Sequence, residues 1–310
     1  MKQKKEKKQK SLLAKILGGI GISLAAILLT AIIIVCWYFP HYQWNKEPVQ
    51  VTIQAEDEIT MMSYNLRYFN PMDFGKKNWF YRASLIMEDI EEQAPGIIGF
   101  QEVTRIHYAY LTDCLPQYDS VITYRDDTIV AEGCPIFYHT GMYTLVDQGS
   151  FWLSETPEVM SKDWGSSHYR VCGYVILTDK ATGKDFVVFN THLDHVSDEA
   201  RINGIQVVLD KIAQFGGLPA VIMGDFNALE GSETYISATE NFDDAMYAAG
   251  GTENGYTYQN WGNMEKACRI DFFMLSKTGF QVKDYQVLSG IRDGVYTSDH
   301  CPIVLKVALD

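Results

Sequence analysis

Residues 220–227, AVIMGDFN, set a four-residue apolar run directly against Gly224, Asp225 and Asn227. A short apolar run bounded by turn residues reads as a buried strand, and the polar residues behind it stand where strand ends gather. The same pattern recurs outward in both directions. Upstream, FVVFNT (186–191) runs into His192, GIIGF (96–100) into Gln101 and Glu102, and ITMMSYNL (59–66) carries Asn65 near its end. Downstream, IDFFML (270–275) holds Asp271 just behind Arg269, and PIVLKV (302–307) follows Ser298, Asp299 and His300. SVITY (120–124) and VCGYVILT (171–178) complete the strand-like runs. Apolar residues at helical spacing predict helices over 82–93 (Leu85, Ile86, Met87, Ile90) and 199–215 (Ile205, Val208, Leu209, Ile212). Many strands with few helices predict an α/β domain of packed sheets flanked by helices.

Strand ends of a layered sheet open into one cleft, so carboxylates, amides and histidines at six such ends make a polar site on a rigid scaffold. Each motif alone is weak: a Gly-Asp after an apolar run is usually a turn, and a His beside an Asp is often a satisfied pair. Together they suit a hard divalent ion. Carboxylates with Asn and without thiolate ligands favour Mg²⁺ or Mn²⁺ over zinc, and such an ion neutralises phosphate charge. Two histidines and a further carboxylate supply groups to hold phosphoryl oxygens and activate water. A G-x-S-x-G elbow, an HExxH helix and a Walker phosphate loop are all missing, which removes serine hydrolases, zincins and P-loop enzymes.

The net charge is −13, from 26 basic and 39 acidic residues. Residues 1–15 hold seven lysines against Glu6 alone, leaving 19 basic and 38 acidic side chains, a net −19, on everything after them. A body this acidic gains no electrostatic help in gathering long nucleic acid. Residues 16–39 carry no charge, and as a helix they span roughly 36 Å against a hydrocarbon core of about 30 Å. The run is too long for a signal-peptide core and lacks a small-x-small site; bulky Ile34 and Val35 before Cys36 argue against a lipoprotein. The expectation is a basic cytoplasmic tail (1–15), a single-pass anchor (16–39), a linker (40–58) and an extracellular catalytic domain (59–310), with the lysines setting the orientation. The five cysteines after residue 40 are scattered and form no CxxC pair, so free buried thiols are expected.

Taken together, the motifs QEV (101–103), THLD (191–194), GDFN (224–227), RIDF (269–272) and SDH (298–300) resemble those of the endonuclease/exonuclease/phosphatase superfamily, over about residues 59–307. The resemblance implies a four-layer α/β sandwich, two mixed sheets face to face with helices outside. It extends to a bacterial branch with WxxR (Trp79 to Arg82) and FWLSETP (151–157). It implies that Glu102 is the principal metal ligand with Asn65 and Asp299 assisting, and that Asp225 orients or deprotonates the attacking water. Asn227, His192 and His300 would contact phosphoryl oxygens, with Asp271 fixing the His300 tautomer. Arg67, Arg170 and Arg201 are substrate-binding candidates beside Asn65; Arg82, His195, Trp152 and Trp164 lie near the motifs. The sequence departs from the branch at Phe69, where an acidic residue is expected, and at Cys134, where a small hydroxyl residue is common. The function implied is a membrane-anchored phosphoesterase acting on a small or lipid-linked phosphomonoester or phosphodiester by in-line water attack, with no protein partner. An extracellular nuclease and a non-catalytic binding module on the same fold are the alternatives.

Overall fold

The computed structural model describes residues 2–52, 58–251 and 255–310. Residues 53–57 of the expected linker lie outside that set. Two compact units emerge, residues 1–46 and 47–310. The first holds α1 (Lys2–Phe39) and a π-helical turn (Pro40–Trp44). Its apolar side chains, Ile22 and Ile27 among them, are exposed, and the helix is long and apolar enough to cross a membrane. The second unit starts inside the expected linker: Val49 and Val51 are buried, and the Val49 N–H donates to the Cys114 carbonyl at 2.8 Å.

Two six-stranded sheets form the second unit. The first has the order β11-β14-β1-β2-β4-β3, with β1 (Ile59–Asn65), β2 (Ile97–Gln101), β3 (Tyr118–Val121), β4 (Ile136–His139), β11 (Phe280–Val287) and β14 (Ile303–Leu309). The second has the order β5-β6-β7-β8-β10-β9, with β5 (Tyr143–Trp152), β6 (Val171–Asp179), β7 (Asp185–His192), β8 (Ala220–Asp225), β9 (Phe242–Asp244) and β10 (Asp271–Ser276). A short hairpin, β12 (Ile291–Arg292) and β13 (Val295–Tyr296), stands apart. Each sheet contains one parallel pair, β1 with β2 and β7 with β8, and the rest pair antiparallel. Parallel neighbours need a crossover, supplied by α2 (Trp79–Gln93) and α4 (Asp198–Ala213). Asn78 and Ser197 cap these helices, accepting from the Phe80 and Ala200 N–H groups.

Period-2 alternation decides which side chains meet between the sheets. Met61, Ile97, Val188, Val221, Met223, Phe273 and Leu305 pack in one buried cluster between them. Phe189, Ile222, Phe272 and Met274, of opposite parity, pack against Ile205 and Val208 of α4. Counting in twos from the inter-sheet set leads to Asn65, Gln101, His192, Asp225 and Asp271, so the polar strand ends lie on the inner faces where the sandwich opens.

The sequence runs match β1, β2, β6, β7, β8, β10 and β14, the 120–124 run overlaps β3 only at Ser120 and Val121, and the two predicted helices match α2 and α4. Unanticipated are β4, β5, β9, β11, β12, β13, α3 (Arg105–Cys114), α5 (Glu233–Thr239) and α6 (Ala245–Ala248). The long strands among them, β5 and β11, are sheet edges whose outward residues are exposed and polar, so no continuous apolar run marks them.

Candidate active site

Three backbone features build the site. In the parallel pair β7/β8 the chains approach so closely at Gly224 that a Cβ there would sit 1.9 Å from the Thr191 carbonyl oxygen, and Gly224 has φ 141°. Glu102 lies one residue past the inner-face parity of β2 and is re-aimed by a left-handed backbone (φ 60°); Arg67 (φ 59°) and Asn227 (φ 47°) share that conformation. Left-handed non-glycine residues cost of order 1–3 kcal/mol each and persist where surrounding contacts hold them. Here the Arg67 N–H donates to Asn65 Oδ1 and the Asn227 N–H to Asp225 Oδ1, both at 2.9 Å, and the Tyr68 N–H donates to Glu102 Oε2 at 2.6 Å.

Asp225 is the hub. Asn65 Nδ2 donates to its Oδ2 at 3.0 Å and lies 3.2 Å from Glu102 Oε1, bridging the two sheets. His192 Nε2 and His300 Nε2 stand 3.5 and 3.7 Å from the same Asp225 oxygen, and His300 Nδ1 pairs with Asp271 Oδ2 at 2.9 Å. Asp271 is the registered partner of Asp225 across β8/β10. Burial, then the neighbouring Asp271, pushes the Asp225 carboxyl up to about 7. Burial opposes charge on His300, yet Asp271, Asp225 and Asp299 together lift it to about 10, so this imidazole is a cation. His192, buried beside Arg170 and Arg125, is held well below the usual histidine range and is neutral.

The cleft over this hub has a volume of about 860 Å³ and is lined by Arg67, Glu102, Arg170, His192, Asp225, Asn227, Asp299 and His300, with Asn65 and Asp271 a step beneath them. Arg67 reaches Asp299 at 3.6 Å and Asp73 at 3.3 Å. Two rim arginines differ from expectation. Arg201 is not brought into the cleft: it donates to the Asp194 carbonyl at 2.7 Å and pairs with Asp198, tying down the loop after β7. Arg170 lines the cleft but is nearly buried, and its donors go to Asp194, the His192 carbonyl and His195. Asn227 Nδ2 is engaged by the Leu193 carbonyl at 3.1 Å. Gln101 and Asn190 clamp the sheets below the site, Gln101 Nε2 donating to Asn190 Oδ1 at 2.7 Å. Arg82 is a fastener: buried completely, it donates to the Leu66 and Thr297 carbonyls and joins the Asn65 strand end to the Ser298-Asp299-His300 turn. Phe69 packs on Phe80 at the cleft rim, and burial pushes the Cys134 thiol up to about 12. Arg125, Glu132 and His168 also line the cleft and went unnoticed in the sequence: Arg125 directly follows the 120–124 run, while Glu132 and His168 sit in loops without a strand-end signature.

Among the described residues the tightest group of potential ligand atoms is Asp225, Asp271 and His300, within 4.8 Å of one another. His300 Nδ1 is already committed to Asp271, so one ligand atom of this trio is taken. The Glu102 and Asp299 carboxylates instead line the cleft wall with the Asn65 amide behind, a set without thiolates that fits a hard divalent cation.

Comparison with known proteins agrees with this geometry. The chain matches the structure of an endonuclease/exonuclease/phosphatase from Bacteroides vulgatus with a TM-score of 0.76 and 32% identity, over 82% of this chain and 99% of that one. A mannosyl-6-phosphatase from Bacteroides thetaiotaomicron matches at a TM-score of 0.73 and 32% identity, over 81% and 99%. The Ccr4 3'-5'-exoribonuclease subunit of the CCR4-Not complex from Schizosaccharomyces pombe is 22% identical over 61% of this chain and only 36% of its own length. The model of the Endonuclease/Exonuclease/phosphatase family matches residues 62–300. The chain therefore belongs to the endonuclease/exonuclease/phosphatase family, whose members are hydrolases, phosphatases and nucleases among them.

Proposed function

We propose that this hydrolase is a membrane-anchored, Mg²⁺-dependent phosphoesterase of the outer cell surface, acting on the phosphoester of a small hydroxylated molecule or lipid headgroup. The observation that carries the reading is the buried Asp225 carboxylate, raised to about 7 and facing His300, His192 and Asn65 at one end of a cleft. A base with that pKa takes a proton from water near neutral pH. Asp225 orients and deprotonates the attacking water, with the Asn227 N–H fixing its other oxygen. Asp271 holds His300 as a cation whose Nε2 proton faces the phosphoryl oxygens, and neutral His192 offers a second contact. Glu102, Asn65 and Asp299 would hold the divalent ion typical of this family, which when bound supplies charge neutralisation for the phosphoryl group and the leaving oxygen.

The printed activity of the Bacteroides thetaiotaomicron relative, a mannosyl-6-phosphatase, supports a sugar-type phosphoester. The net −19 on the body supports a small substrate over long nucleic acid. The apolar helix after a lysine-rich tail supports an anchor with its amino terminus in the cytoplasm. The test is turnover by the full chain in detergent with Mg²⁺ against sugar phosphates, inositol phosphates, phospholipids, DNA and RNA. Hydrolysis of a small phosphoester that stops in excess chelator is expected. Efficient degradation of nucleic acid alone would install the nuclease reading. External protease on intact cells should remove the body and leave the amino-terminal stub; a body cut only after lysis would reverse the orientation.

A further inference from the structure

The cleft is larger than a phosphate requires and falls among the roughly 300–1,000 Å³ sites that enclose small molecules. Asp225, His300 and Glu102 occupy one end. The wall beside Glu102 and His192 comes from the loop between β3 and β4, where Gly133 pairs with Val103, and from the segment before β6. There Arg125 and Glu132 form a two-point pair, Nη1 to Oε2 and Nη2 to Oε1 both at 2.9 Å, and the Arg125 N–H donates to the Glu132 carbonyl at 2.9 Å. Trp152 Nε1 donates to the Arg125 carbonyl at 3.0 Å, bracing the pair from β5. At the mouth the exposed imidazoles of His168 and His195 stack with centroids 5.7 Å apart and planes 23° apart. Arg170 Nη2 donates to His195 Nδ1 at 2.9 Å, which leaves that ring's proton on Nε2.

The electrostatics of this wall set it apart from an anion site. Arg125 is engaged at both Nη groups by Glu132, whose carboxyl is pushed up to about 7 by burial and then by Glu102, and Arg170 pairs with Asp194 at 3.5 Å, while burial and then the neighbouring arginines hold both imidazoles below the usual histidine range. The wall is therefore rich in donors and acceptors, and its guanidinium groups are already engaged by protein partners. A second phosphate or a nucleic-acid backbone requires an unmatched basic side chain at each contact. Neighbouring uncharged hydroxyls require only fixed donors and lone pairs, and each Glu132 oxygen keeps a free lone pair beside its bond to Arg125.

We infer that this wall is the subsite for the leaving group of the substrate, an uncharged polyhydroxylated ring, with Arg125 and Glu132 bonding adjacent hydroxyls and His168 and His195 bounding the mouth. The inference rests on the phosphoester reading above and assigns specificity to residues that take no part in the hydrolytic step. The experiment compares a hexose 6-phosphate with butyl phosphate, both esters of primary alcohols, using the full chain in detergent with Mg²⁺. The ratio of their kcat/KM values cancels losses of folded protein or of general catalytic power. The wild type is expected to favour the sugar ester at least about tenfold, with the ratio falling about fivefold or more in Glu132→Gln and about two- to threefold in His168→Ala, whose side chain is exposed. A wild type that treats the two esters alike, or a ratio unmoved in both variants, overturns the subsite while leaving the hydrolytic reading in place. Turnover of neither ester overturns both.

Discussion

In the first sheet β1 and β2 run parallel and end at Asn65 and Gln101, with Glu102 immediately beyond; in the second β7 and β8 run parallel and end at His192 and Asp225. Each pair is closed by a crossover helix and each delivers one carboxylate to the same cleft. The environments of those carboxylates differ. Glu102 is half-buried at the cleft wall, with one oxygen on a backbone N–H and the other near an amide, and it lines the cleft where a cation would sit. Asp225 is buried, faces Asp271 across the strand register and has its charge disfavoured, which suits it to exchanging a proton. Two equivalent strand ends thus acquire different chemistry through burial, because desolvation penalises an ion in proportion to what it loses from water.

The sharpest way to break this contrast is to remove the buried side of it. Asp225→Asn and His300→Ala should each lower kcat by about 10³-fold on the preferred phosphoester, near 4 kcal/mol in barrier, with circular dichroism unchanged. In the wild type kcat/KM should rise through a midpoint near pH 7 as Asp225 loses its proton, and fall again near pH 10 as His300 loses its charge. A flat profile across pH 6–8 would remove Asp225 as the base.

The two sheets also differ in how tightly their inner glycines are held. A Cβ at Gly224 meets the Thr191 backbone at 1.9 Å, whereas one at Gly99 of β2 meets the movable end of Met223 at 2.4 Å. Gly224→Ala should destabilise the fold by about 3 kcal/mol or more and Gly99→Ala by roughly 1–2, read from denaturant midpoints. Equal losses would mean that the β7/β8 approach is not special.

Glu102→Gln probes the exposed side. It should raise the Mg²⁺ concentration for half-maximal activity at least about tenfold, with part of kcat recovered at high Mg²⁺. A fall that no amount of metal restores would erase the division of labour between the two carboxylates.

A last effect is on the pH dependence of stability. The folded pKa of Asp225 lies above its ordinary 3.8, so its contribution is fully present below about pH 4 and is lost as pH rises through about 7. Asparagine mimics the protonated form, so Asp225→Asn should have a higher Tm than wild type at pH 8, with the gain vanishing below pH 4. A variant less stable than wild type at pH 8 would mean that the carboxylate is ionised and paired in the fold.

How far the sequence could be read follows from where each residue sits. Asn65, Glu102, His192, Asp225, Asp271 and His300 were legible because each adjoins an apolar run, and a rigid buried strand fixes where its end lies. Edge strands β5 and β11 were not legible, since residues facing water on a sheet edge need no apolar pattern. Arg201 was misread for a related reason: nearness in sequence to THLD says nothing of direction, and its guanidinium turns to the Asp194 carbonyl.

By itself the amino-acid order determined the apolar helix with its lysine flank, the strand and helix alternation, and the set of polar groups at the strand ends, all of which depend on local periodicity. Tertiary structure alone decided that Gln101 and Asn190 clamp the sheets, that Arg82 fastens two site loops, and that Arg125 and Glu132 line the cleft beside Glu102. It also decided that Asp225 is buried and Glu102 is not. Those outcomes depend on which surfaces exclude water once two sheets close on each other, and the cost of burying a charge is set by that enclosure.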